Sequence, residues 1–220
     1  MAGVLASACG GGSPTGPGTA PSNNNPVITS LTVTPFGVSG LTTISMAAAA
    51  TDADNDTLTY AWSFGGATAA GPTATATLTG DGGVAVRLTV TDSKGGSVTD
   101  TRTVTIGTMT GVWSIAFNTC TPSSVFPTLT LTQTGTAVNG TFLQTTNYCN
   151  GTAGQTGRLD PASPATIDAQ GNFSGRLKIG DFIDIFLTEG KMDATGRKVT
   201  GKPQGSGFGA STDTFTMTKQ

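Results

Sequence analysis

The chain reads as all-β: a β-sandwich first, then a small up-and-down antiparallel β-barrel, both behind an N-terminal tether. Three observations predict this. Large apolar side chains recur at every second position in short runs, which places them on one face of a strand. Gly, Asp and Asn turns separate those runs closely, the spacing of sequential hairpins. Thr, Gly, Ala and Ser dominate, whereas the Glu and Lys of long helices are scarce, and charged residues make up only 11% of the 220.

The same composition excludes whole classes of function. A net charge of −2 provides no basic field to attract nucleic acid. The sequence contains no histidine, which removes the commonest general base and the commonest metal ligand. A Ser-His-Asp or Cys-His site and a histidine zinc site are therefore impossible. No apolar stretch reaches transmembrane length.

In chain order, residues 1–9 come first. Leu5-Ala6-Ser7-Ala8-Cys9 followed by glycines resembles the cleavage box of a bacterial lipoprotein. That resemblance implies a lipid on Cys9, a membrane anchor, and a place in the cell envelope. With Gly10 after the cysteine, the outer membrane or the cell surface is expected. A basic n-region and a long apolar h-region do not precede the box, so the sequence is expected to start late. The other reading of Cys9 is a chance cysteine in a disordered N-terminus. Residues 10–25, rich in Gly, Pro, Ser and Asn, have nothing to bury and read as a solvated linker.

Residues 26–107 are the expected sandwich, organised around Thr51–Gly66. Leu58, Tyr60, Trp62 and Phe64 alternate with Thr59, Ala61 and Ser63, so four large side chains share one strand face, which a second sheet must cover. Ile44-Ser45-Met46-Ala47 and Val84–Val90 read as flanking strands. The run Ala50–Gly65, ATDADNDTLTYAWSFG, resembles the signature of the polycystic-kidney-disease (PKD) type of immunoglobulin-like domain. Leu88–Gly96, LTVTDSKGG, resembles its late-strand signature, and the likeness covers roughly residues 26–106. Ser63 and Gly66 stand where that family usually carries acidic residues. The resemblance implies an extracellular spacer or binding module that is not itself catalytic.

Asp52, Asp54 and Asp56 stand at alternate positions in the turn before that aromatic strand. Converging carboxylates suit calcium, which takes six to eight oxygens. An EF-hand is excluded, because Thr57 occupies the position where that loop needs glycine. In an immunoglobulin-like topology the turn beginning at Asp92 lies at the same end of the sandwich. Asp92 is thus a candidate fourth carboxylate, and Asn24 and Asn25 arrive at that end too. The competing reading is that these residues are turn formers whose side chains bond nearby backbone amides.

Residues 108–220 are the expected barrel, with strands at Gly111–Asn118, Thr128–Thr134, Thr136–Thr146, Phe173–Ile179, Phe182–Thr188, Lys198–Gly201 and Thr214–Lys219. Short connections favour a meander closed on itself. Gly111-Val112-Trp113-Ser114 and Asp213–Lys219 resemble the two ends of lipocalin- or avidin-like barrels, although the tryptophans of biotin-binding barrels are missing. Trp62 and Trp113 read as core. Cys120 and Cys149 would fall at the same barrel end, so a disulfide suits an oxidising compartment; two reactive thiols are the alternative. A two-residue turn at Gly180-Asp181 would pair Asp184 with Leu177 and point it inward. There it could orient a ligand or act with Glu189 as an acid/base pair. Otherwise Asp184 is an exposed strand-edge charge.

These observations predict a non-catalytic, lipid-anchored envelope protein that binds or displays a glycan or protein at the surface. It would need no cofactor beyond a possible calcium ion. A carrier holding a small apolar ligand in the barrel is the alternative, with a carboxylate-only hydrolase behind it.

Overall fold

The computed structural model describes residues 22–119, 128–144, 155–180, 183–205, 208 and 210–220. Every regular element among them is a strand, and no helix is long and apolar enough to cross a membrane. The first unit contains β1 (Val27–Val33), β2 (Phe36–Val38), β3 (Thr43–Thr51), β4 (Leu58–Phe64), β5 (Ala67–Ala70), β6 (Thr73–Thr77), β7 (Gly82–Asp92) and β8 (Ser97–Gly107). They form two sheets, β1-β3-β6 and β2-β8-β7-β4-β5, in which only β2 and β8 run parallel. The alternation in β4 is realised as expected: Trp62 and Phe64 are buried, and Thr59, Ala61 and Ser63 face out. Ile44, Met46, Leu88, Val90, Val104 and Ile106 close over them. The Trp62 indole N–H donates to the Gly71 carbonyl at 2.9 Å, so the ring is buried without an orphaned donor. Phe64 pairs with Ala67, and both intervening residues, Gly65 and Gly66, have positive φ. That is a tight hairpin turn which residues with a Cβ adopt only under strain.

The second unit contains β9 (Gly111–Phe117), β10 (Thr128–Thr134), β11 (Ala137–Gln144), β12 (Gln155–Leu159), β13 (Ala165–Ile167), β14 (Asn172–Ile179), β15 (Ile183–Met192), β16 (Lys198–Gly205) and β17 (Phe215–Lys219). All pairings are antiparallel. Eight of these strands close a barrel, sealed where Phe215–Lys219 pairs with Trp113–Phe117. β13 is a short patch that pairs with both β11 and β14.

The sequence reading lacked β12 and β13. In β12 only Leu159 is a large apolar residue, so the alternation is too thin to read. Its missing inward side chain has a tertiary cause: a Cβ at Gly157 would occupy the space of the Phe142 ring. Gly201 similarly leaves room for Phe215, whose ring carbon would lie 2.6 Å from an added Cβ.

An eight-stranded barrel is just wide enough to be filled by side chains or to hold one small ligand. This one is filled. Trp113, Phe173, Phe215, Leu129, Leu131 and Leu177 are fully buried in a single cluster. Trp113 donates its indole N–H to the Met109 carbonyl at 2.9 Å inside that core.

The short connection between Gly107 and Gly111 keeps the two units in contact. Val38 of the sandwich belongs to the barrel's apolar cluster, with Phe36 and Leu41 packed against it. The Thr42 hydroxyl donates to the Ala169 carbonyl at 2.6 Å. Lys219 reaches back to Asp81 at 2.8 Å. Gly107 and Gly196 touch backbone to backbone, since a Cβ on Gly107 would lie 2.8 Å from the Gly196 Cα.

Candidate functional site

The acid turn between β3 and β4 comes together as the spacing predicts. Asp52, Asp54 and Asp56 each offer one carboxylate oxygen, and these oxygens all lie within 4.8 Å of one another. Asn55 supports the curl with φ 59°, a left-handed conformation that Asn tolerates. Asp52 Oδ1 accepts the backbone N–H groups of Asp54 at 2.8 Å and Asp56 at 3.2 Å. Its other oxygen, Oδ2, is buried without a hydrogen-bond donor among the described residues. Among the described residues no Lys or Arg pairs with any of the three acids.

The chain end before β1 is stitched onto the same end of the sandwich. Asn24 donates its backbone N–H to Asp54 Oδ2 at 2.7 Å, and its side-chain amide reaches the same carboxylate at 3.1 Å. Ser93 donates to Asp56 at 3.2 Å.

Asp92 does not join the three acids. It is a turn anchor, with Oδ1 accepting from the N–H groups of Lys94 (2.8 Å) and Gly96 (2.9 Å) and Oδ2 accepting from Asn23 Nδ2 (2.9 Å). The Asn23 bond chiefly holds its carboxyl below the usual range; burial opposes this, and the amides of Lys94, Gly96 and Gly95 reinforce it. Gly96 is packed so closely that a Cβ would lie 2.7 Å from Asn25 Oδ1 and 2.9 Å from Asn23 Nδ2. The Asp and Asn residues therefore serve as turn formers, and three of the acids also converge.

Asp184 is on the outside of the barrel, which corrects the inward placement. Ile179 pairs with Ile183 and Lys178 with Asp184, one residue out of step with a two-residue turn. A one-residue slip moves every side chain of a strand to the other face. There Arg176 grips Asp184 with two bonds, Nε to Oδ1 at 3.0 Å and Nη2 to Oδ2 at 2.6 Å. Its Nη1 reaches the buried Asp160 at 3.1 Å, and its guanidinium lies 5.3 Å from the Phe186 ring centroid. The Arg176 hydrogen bond holds the Asp184 carboxyl below its usual range. Glu189 is engaged elsewhere, by Lys202 at 2.8 Å, so an Asp184–Glu189 acid/base pair is not assembled.

Asp160, Arg176 and Lys178 were missed because their grouping depends on the unforeseen β12 and on the register of β14 against β15. Opposite charges facing each other across a hairpin, Lys178 and Asp184, are the one signal toward this group, and it reaches neither Arg176, which faces Phe186, nor Asp160. Cys9, Cys120 and Cys149 lie outside the described residues.

Residues 23–106 match the family described as the PKD domain. The crystal structure of the PKD1 domain of Vibrio anguillarum Epp is 33% identical, with 39% of this chain and 96% of that chain covered and a TM-score of 0.33. Through this N-terminal segment the chain belongs to the PKD domain family. A carbohydrate-binding module from the β-sandwich superfamily, described for promiscuous specificity, is 15% identical over 90% of this chain and 98% of its own, at a TM-score of 0.38. The Bacteroides ovatus mixed-linkage glucan utilization locus protein SGBP-B, solved with a mixed-linkage heptasaccharide, is 13% identical over 84% of this chain and 66% of its own, at a TM-score of 0.31. TM-scores this low carry no argument about ligand or activity. Among curated proteins, none matches the chain significantly.

Proposed function

We propose that this is a non-catalytic cell-envelope lipoprotein, anchored through Cys9, that uses its two β units to bind a glycan or protein at the cell surface. The observation that carries this reading is the filled barrel. Where Trp113, Phe173 and Phe215 occupy the interior, the described residues leave a small apolar ligand no lumen, which favours binding on the outer surface. The carrier reading loses its site among the described residues. A carboxylate hydrolase loses support too, because Asp160, Asp184 and Glu189 are each held by a base. The PKD domain fits a spacer that lifts the barrel away from the membrane.

The acid turn fits a calcium ion. Asp52, Asp54 and Asp56 would hold it, and the donorless Asp52 Oδ2 suits a cation. The ion would neutralise like charges and stiffen the junction of tether and sandwich, a structural role without chemistry.

The test has two arms, both using the protein as its full gene encodes it. Expressed in an envelope-bearing bacterial host with labelled fatty acid, the protein should take up label, whereas Cys9→Ser should not. Purified protein should be retained on polysaccharides or surface extracts without releasing reducing sugar. Turnover of a bound polymer would overturn the non-catalytic reading, and equal labelling of both forms would overturn the anchor.

A further inference from the structure

Arg158 stands on the outer face of the barrel without a partner among the described residues. It lies exposed on β12, with Thr141 of β11 opposite on one side and Lys178 of β14 on the other. Among the described residues its guanidinium makes no hydrogen bond or ion pair. Asp160, two positions on, is already taken by Arg176 and by the Ala162 N–H, with Lys178 at 3.8 Å.

Arg158 is also the shared wall of two adjoining grooves. The first, of about 510 Å³, is lined by Thr128, Thr130, Thr141 and Thr156 beside it. The second, of about 410 Å³, extends past Thr132 and Asn139. None of those threonine hydroxyls takes a protein partner among the described residues. Thr130, Thr141, Arg158 and Lys178 are successive cross-strand partners, so they form one row across the sheet. At about 4.8 Å between strands the row spans roughly 14 Å, the scale of a short oligosaccharide.

The same face shows what satisfies such a guanidinium. On β14, Arg176 takes the Asp184 carboxylate with two parallel bonds. Five N–H groups in a rigid fork match a carboxylate in this way, and a lysine does not. Among the described residues Arg158 has the fork without the acid, and its neighbours in the grooves offer hydroxyls.

We infer that this groove binds an acidic glycan, a polysaccharide bearing uronate carboxylates. Arg158 takes the carboxylate, and the threonines that line the grooves bond the sugar hydroxyls. A neutral glycan calls for an aromatic platform instead. Phe186, the exposed large aromatic among the described residues, lines neither groove and already has Arg176 over its ring. The inference rests on the surface-binding reading above and narrows it.

The experiment is affinity electrophoresis and titration calorimetry of the full chain against polygalacturonate, alginate, a neutral β-glucan and dextran. Wild type should bind the uronates, and more weakly as salt rises. Arg158→Ala should lower that affinity about tenfold or more, the scale of losing hydrogen bonds to a charged group. Arg158→Lys should recover little of it, whereas Arg87→Ala, at an exposed arginine of the sandwich, should match wild type. Circular dichroism verifies that each variant is folded. Uronate binding that Arg158→Ala leaves intact, or binding confined to neutral glycans, overturns the site and leaves the binding-module reading standing. No retention on any polysaccharide or on surface extracts overturns both.

Discussion

Replacing Trp113 with alanine tests the filled barrel directly. Its side chain is fully buried, its indole N–H bonds the Met109 carbonyl at 2.9 Å, and Lys219 Nζ lies 5.8 Å from its ring centroid. Truncating a fully packed tryptophan costs about 3–5 kcal/mol, and stranding the Met109 carbonyl pushes toward the upper end. For a domain of this size that lowers the melting point by roughly 10–20 °C. If the ring bordered an open lumen, few contacts would be lost and the change would stay within about 0.5 kcal/mol, as at surface sites. The chain has only two tryptophans, so in Trp113→Ala the remaining fluorophore, Trp62, reports the sandwich alone. Calorimetry should show the barrel transition moved down while Trp62 fluorescence follows a sandwich transition that moves much less. A barrel shift below about 1 kcal/mol would refute the packing argument and return the carrier to consideration.

The depressed Asp92 carboxyl makes the sandwich sensitive to acid. Its contribution is complete above the unfolded carboxyl range near pH 4 and is lost as pH falls through the lower folded value, so melting points measured from about pH 6 to about pH 2 should drop more steeply in wild type than in Asp92→Asn. Parallel curves would contradict that role. Gly107→Ala places a methyl 2.6 Å from Met192 Sδ and 2.8 Å from the Gly196 Cα. It should cost about 1–3 kcal/mol and loosen the contact between the units, read as faster proteolysis between Gly107 and Gly111; an unchanged digestion rate would count against the close approach. Millimolar calcium should raise the sandwich melting point by several degrees over chelator, with the rise absent in Asp54→Ala; superimposable melts would remove the ion from the proposal.

Much of this protein is legible in its sequence because the information is local. A period of two along Leu58–Phe64 assigns a strand face without knowledge of its partner, and Gly65-Gly66 fixes a hairpin through backbone sterics alone. The acid turn is likewise local: Asp52, Asp54 and Asp56 converge because a single short loop curls. What tertiary structure decided is register and occupancy. β12 escaped notice because its inward position is a glycine whose space belongs to a ring on the next strand, Phe142. Asp184 faces outward because Lys178 lies opposite it, a pairing set by one residue of loop length that no composition reveals. Whether the barrel is hollow or solid depends on how Trp113, Phe173 and Phe215, from three different strands, divide one volume. Volume is shared among residues distant in sequence, so only the closed barrel could decide it.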